Sequence, residues 1–249
     1  MHGLSERQAR EARYHDAAAA ELDPDRMAPG ELDEWERALI EAAGELGGRR
    51  VLELGCGNGG LSLALLERGA DLTAIDLSPG MVDIARACAE RWRPGSSARF
   101  LAASAEETGL DASSFDLVIG KWILHHVDLD RAAAELERLL APGGRALFAE
   151  SSALNPVLAW ARRNVAGRFG VTSYGTPDER PLGDEDFVRL AQRFAYVRLD
   201  FPNFWLVQML DRQLAGLRWQ RHSRAIDHWL AARFPRLRRY GYWVLVELG

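Results

Sequence analysis

Between residues 50 and 150, five short apolar runs alternate with helix-length stretches, and this rhythm constrains the fold more than any other feature. The runs are Arg50–Leu54, Leu72–Ile75, Arg99–Ala103, Phe115–Ile119 and Ala146–Ala149. Three intervening segments stop at helix breakers: Leu61–Arg68 before Gly69, Ser78 to Trp92 before Pro94-Gly95, and Asp130–Leu140 before Pro142-Gly143-Gly144. Ser78 is placed to cap the second of these. Strands separated by single helices read as βαβ units, with a parallel sheet covered on both faces.

The rhythm changes outside this block. Residues 5–22 and 31–46 read as helices, broken at Pro24 and Pro29-Gly30. Helical pieces are expected at 155–166 and 184–194, and strands at Tyr196–Phe201 and Gly241–Leu248. Residues 202–239 form a 38-residue insert between those strands, with three of the eight Trp and eight Arg. It reads as a helical layer packed on the sheet, a lid or wall for an apolar substrate, or a surface that docks on a membrane through Arg and Trp. The expected division is therefore an N-terminal helical lid at 1–48, a core at 49–150, and completion of the sheet at 151–249.

A chain of 249 residues, 47% hydrophobic, can bury a sizeable core. Its net charge of −5 argues against a nucleic-acid partner. Two Cys, Cys56 and Cys88, make no disulfide framework, and no Cys/His cluster suggests a metal. No apolar run approaches the 18 residues of a membrane span, and the polar N-terminus lacks a signal-type apolar segment. A soluble, cytoplasmic protein is expected. Of 31 basic residues only Lys121 is Lys.

The first strand runs into Glu53-Leu54-Gly55-Cys56-Gly57-Asn58-Gly59-Gly60, a turn whose backbone N–H groups a ligand can touch at a helix start. Asp76 ends the next strand, 21 residues after Gly55, where a carboxylate accepts from ribose hydroxyls. Gly55, Gly57 and Gly60 also satisfy G-x-G-x-x-G, so a nicotinamide enzyme has to be weighed. The surrounding text decides between them. VLELGCGNGGLSLALLERGA, LTAIDLSPGMVDIARA and FDLVIGKWILHHVDLDRAAAELERLLAPGGRALFAE, in this order, resemble the class I S-adenosylmethionine-dependent methyltransferases over residues 50–150.

The resemblance implies a Rossmann-like α/β fold: a seven-stranded, mostly parallel sheet with helices on both faces and a helical lid or insert. The aromatic tail YGYWVLVEL would be its antiparallel last strand, lying between strands five and six. It also implies S-adenosyl-L-methionine as cofactor, with S-adenosyl-L-homocysteine as product. Gly55, Cys56, Gly57 and Gly59 would face the methionine part, with Glu53 steadying the loop. Asp76 would hold the ribose, and Leu77 and Met81 would sandwich adenine. Ser104 and Ala105 would border the adenine edge, although Ser104 stands where many relatives carry Asp.

The end of the fourth strand, Ile119-Gly120-Lys121-Trp122-Ile123-Leu124-His125-His126, would pass beneath the methyl group, with Gly120 and Lys121 touching the cofactor. A hydroxyl or ammonium acceptor needs a general base, and His suits neutral pH. His125 stands where phosphoethanolamine and some small-molecule methyltransferases carry a catalytic His, latched by a Tyr from an N-terminal helix. Tyr14 is placed for that latch. Lys121 lies four residues before His125, one helical turn, and could meet an acidic substrate. The competing readings are a structural His125, a Tyr14 that packs, and an incidental Lys121.

The acceptor would be a small apolar or aromatic metabolite, with oxygen or carbon favoured over nitrogen, in natural-product or lipid-type biosynthesis. The alternatives are a cofactor-binding protein without methyl transfer, cyclase-like or a binding module, and a protein or RNA methyltransferase. No metal is expected, and the chain would be a monomer or homodimer.

Overall fold

The computed structural model describes residues 4–24, 31–165, 168, 180–216 and 218–249. Phe169, Tyr174 and Glu179 lie outside the described residues. In chain order the elements are α1 (Glu6–Ala19), α2 (Glu34–Ala43), β1 (Arg50–Leu54), α3 (Gly60–Glu67), β2 (Asp71–Asp76), α4 (Pro79–Trp92), β3 (Ala98–Ala102) and β4 (Phe115–Lys121). They continue with α5 (Leu129–Leu139), β5 (Leu140–Ser151), α6 (Pro156–Asn164), α7 (Asp184–Ala191), β6 (Val197–Asp200), α8 (Leu206–Ala215), α9 (Gln220–Arg233) and β7 (Trp243–Leu248). Short 3₁₀ segments sit at Leu124–His126 and Pro235–Tyr240.

The sheet order is β3-β2-β1-β4-β5-β7-β6. Pairings from β3 through β5 are parallel, and β7 runs antiparallel to both β5 and β6. The last strand thus enters between the fifth and sixth, the order expected for the family. Alternation along each strand sorts two cores. On one face Val51, Leu72, Leu117, Ile119, Leu147 and Trp243 meet α2, α3 and α4. On the other Leu52, Leu54, Val118, Phe148, Val244 and Val246 meet α5 and α7.

Local signals set the helix starts. Ser5 and Gln8 form a reciprocal capping box on α1, and Asp33 and Glu36 form another on α2. The Ser78 hydroxyl accepts from the Met81 N–H with Pro79 at the first position of α4. Pro142-Gly143-Gly144 does not precede strand five but lies within it, as an irregularity. Phe115 pairs with Leu140 and Leu117 with Arg145, so the extra residues bulge out of register.

In the insert, α8 and α9 form a helical hairpin. The buried Asp227 carboxylate accepts from the N–H groups of Leu206, Val207 and Gln208, capping α8 in place of a local residue. Trp205 meets Trp35 of α2 edge-on at 5.7 Å, and Glu34 reaches His228 at 2.8 Å. No helix among the described residues is long and apolar enough to cross a membrane.

Candidate active site

A cavity of about 270 Å³ opens at the carboxyl ends of β1, β2 and β4, where open α/β sheets bind ligands. Glu53, Gly55, Cys56, Gly57, Asn58 and Gly60 line it from the first loop. Asp76, Leu77, Ala103, Ser104, Ala105 and Glu106 line it after β2 and β3. Lys121, Trp122, Ile123 and His126 close it after β4.

Gly55 has φ +71°, and a Cβ there would lie 3.2 Å from Ile123 Cδ1. A Cβ on Gly120 would lie 2.7 Å from Ile123 Cγ2. The two glycines therefore make room for one side chain, Ile123, beneath the cavity. Gly120 and Gly59 do not line the cavity themselves, and neither does Met81, which is buried in the first turn of α4.

Asp76 organises the mouth of the loop. One carboxylate oxygen accepts from the Gly57 N–H and the other from the Ser78 N–H, each at 2.9 Å. Glu53 is buried and accepts from the Ser62 hydroxyl. Burial pushes its pKa up to about 8, against the Ser62 hydrogen bond and the Lys121 charge, with Glu36 and Asp76 adding to the rise. The Glu53 side chain is thus largely a neutral acid at pH 7. Burial, with Glu53 and Asp76 nearby, also pushes the Cys56 thiol far up, so it has no thiolate character.

Lys121 is held at the cavity wall by two carboxylates of α2. Its ammonium lies 3.0 Å from Asp33 and 2.5 Å from Glu36, the two capping residues of α2. Burial lowers its pKa, but Asp33 and Glu36 outweigh that and hold it above the usual lysine value. The one lysine is therefore a clamp between the end of β4 and the start of α2.

The one-turn relation between Lys121 and His125 does not form. Trp122 takes φ +57° directly after the strand, and the chain then tightens into the 3₁₀ turn. Lys121 ends on the α2 side, whereas His125 Nδ1 sits 2.6 Å from Glu150, a buried residue of β5. Glu150 also accepts from the N–H groups of Ile123 at 2.8 Å and Leu124 at 2.7 Å. His125 does not line the cavity. Its neighbour His126 does, with Nδ1 3.3 Å from Glu11.

The N-terminal helix does cover the cavity, but not with Tyr14, which is 56% exposed and absent from the lining. Arg7, Gln8, Glu11 and His15 face inward instead, at the spacing of one helical face. Gln8 donates to the Ser104 hydroxyl at 2.9 Å. Arg7 pairs with Glu106 and donates to the His126 carbonyl. Asp16 accepts from the Gly80 N–H at 3.0 Å and from the Ser78 hydroxyl, tying α1 to the start of α4. The sequence carried a signal for the start of α1 in its capping box, but none for the face that turns inward. Glu150 carried no local signal, because its partners lie 25 to 27 residues away.

An aromatic cluster borders the cavity beside Trp122. The Trp35 ring meets Trp122 edge-on at 4.8 Å and stacks on Trp243 at 4.8 Å.

Residues 52–148 match the family model described as a methyltransferase domain. An uncharacterised methyltransferase of Mycobacterium tuberculosis is 40% identical over 144 residues, 57% of this chain and 54% of the relative. A demethylmenaquinone methyltransferase of Thermus thermophilus is 39% identical over 119 residues, 47% of this chain and 53% of the relative. The chain thus spans about half the length of the curated relatives it matches. Among solved structures, the fold is shared with a geranyl diphosphate C-methyltransferase of Streptomyces coelicolor, crystallised with Mg²⁺, geranyl diphosphate and S-adenosyl-L-homocysteine. The TM-score is 0.66 at 16% identity, covering 98% of each chain. Sheet order, glycine loop, the carboxylate ending β2 and the match over residues 52–148 agree: this stretch of the chain matches a methyltransferase domain, on the fold expected of the class I S-adenosylmethionine-dependent methyltransferases.

Proposed function

We propose that the chain transfers a methyl group from S-adenosylmethionine to a small apolar or aromatic acceptor. The observation that carries this is one cavity joining the glycine loop and Asp76 to an apolar end formed by Trp122 and Ile123. S-Adenosylmethionine supplies the methyl group on a positively charged sulfur. The donor set fits such a ligand: Asp76 faces the cavity ready to accept from a ribose diol, and Leu77, Ser104 and Ala105 offer an apolar wall and a polar edge for a purine.

For methyl transfer the protein's main task is alignment. Ile123, held from below by Glu150 through its backbone N–H, and Trp122, held against Trp35, shape the acceptor side. His126 is the group placed to take a proton from the acceptor, with Glu11 beside its ring. His125 acts through the loop that it and Glu150 hold together. Tyr14 has no part in this arrangement. Relatives named for isoprenoid quinone chemistry and a structural neighbour that binds a prenyl diphosphate make lipid-like acceptors the first to try.

The test is a calorimetric titration with S-adenosylmethionine, followed by transfer of labelled methyl to a panel of isoprenoid quinols and aromatic phenols. Binding with label transfer supports the reading. Tight binding without transfer to any acceptor, including those in a metabolite extract, would reduce the chain to a cofactor-binding protein.

A further inference from the structure

The helical insert carries its polarity inside out. The face of α9 that packs inward holds Ser223, Asp227 and Ala231, and Ser223 and the buried Asp211 of α8 are hydrogen-bonded to each other. The outward face carries His222, Ile226, Trp229 and Arg233, spaced four, three and four residues apart and so aligned in one stripe. Trp229 is 62% exposed, and Trp219, at the start of α9, is 67% exposed. The 3₁₀ segment that follows adds Phe234, Leu237 and Tyr240, all exposed, at the three-residue spacing that such a helix aligns. Asn155 joins this segment to α6 through the Tyr240 carbonyl at 2.8 Å, and α6 adds exposed Val157 and Trp160.

The same segment is strongly basic. Residues 202–239 contain eight Arg and two acidic residues, Asp211 and Asp227, which gives a formal charge of +6. The whole chain is −5, so the remainder carries −11. Both aspartates are buried within the hairpin, so they do not offset the guanidinium groups of the exposed Arg218, Arg221 and Arg236.

We propose that this insert docks the protein on an anionic lipid bilayer. Outward Trp, Ile, Phe and Leu interleaved with Arg are what the membrane interface accepts: rings and aliphatic groups at the acyl boundary, guanidinium groups among phosphates. A symmetric contact with a second copy would bring two +6 faces together. Nucleic acid would use the arginines but leave the Ile226, Leu237 and Val157 side chains without a role. The −11 remainder is repelled by an anionic surface, so only this face approaches it. The inference does not depend on which acceptor is methylated.

The experiment is co-flotation of the full chain with vesicles of phosphatidylcholine alone or mixed with phosphatidylglycerol. The expected result is binding to the mixed vesicles that weakens as salt rises. Ile226→Ser with Trp229→Ser, and separately Arg221→Glu with Arg236→Glu, should each lower partitioning by at least roughly tenfold. Thermal melts by circular dichroism establish that both variants are folded. Three outcomes would overturn the proposal: no partitioning onto anionic vesicles, folded variants that float as the wild type does, or a solution dimer in sedimentation that Trp229→Ser abolishes. Salt-dependent binding to a DNA duplex without vesicle binding would assign the face to nucleic acid instead.

Discussion

At the scale of single residues, adjacent positions in the sequence have opposite fates. His125 and His126 follow one another, yet one is bound to Glu150 and the other lines the cavity beside Glu11. His126→Gln is expected to lower kcat while leaving cofactor affinity within about twofold. His125→Gln is expected to lower stability by about 1–2 kcal/mol, through loss of its contact with the buried Glu150. Single-turnover kinetics, calorimetry and urea melts separate the two; a catalytic defect confined to His125→Gln would reverse the assignment. Glu53 gives a pH prediction. Its folded pKa, about 8, lies above the usual 4.5, so the folded state holds a proton that the unfolded state releases between those values. Its contribution to stability therefore falls as pH rises from about 4.5 to 8 and is level outside that window. Glu53→Gln should flatten that part of the stability profile, measured by denaturant melts at a series of pH values.

At the scale of elements, polar anchors from distant parts of the chain help place helices α1 and α2. Lys121 clamps the first turn of α2, and Asp16 fastens α1 to α4. Lys121→Met leaves Asp33 and Glu36 facing each other without their cation. A loss of about 1–2 kcal/mol is expected, modest because the site is partly open to water. Lys121→Arg keeps the charge and should retain most of the stability, as a thermal melt would show. This clamp was not legible from spacing. Four residues make one turn only if the chain is helical, and here it leaves a strand through the left-handed Trp122. Tyr14 lies off the cavity for a similar reason. The capping box sets where α1 begins, but the docking of α1 on α4 sets which face turns inward.

At the scale of the whole molecule, the matched domain is not a self-sufficient unit. Strand β7 lies between β5 and β6, and Trp243, Val244, Val246 and Leu248 are buried in both cores. Removing residues 241–249 would strip both faces at once and leave the inner edges of β5 and β6 unpaired. Loss of the cooperative thermal transition is expected, even though residues 52–148 remain intact; a truncated chain with a wild-type melt would refute this.

Legible in the residues alone were the alternation of strands and helices, the glycine loop after β1, Asp76 at the end of β2 and the aromatic last strand. These features are local: each is written in residues that neighbour one another, or in turn and cap chemistry with a short reach. Long-range packing chose which of two adjacent histidines meets the cavity, what the single lysine holds, which face of α1 covers the site and that Trp219 and Trp229 of the insert turn outward. Those outcomes depend on the partner across the sheet or on the neighbouring helix, over tens of residues in sequence. Direction in space is set by packing, to which local periodicity contributes a face but not its destination.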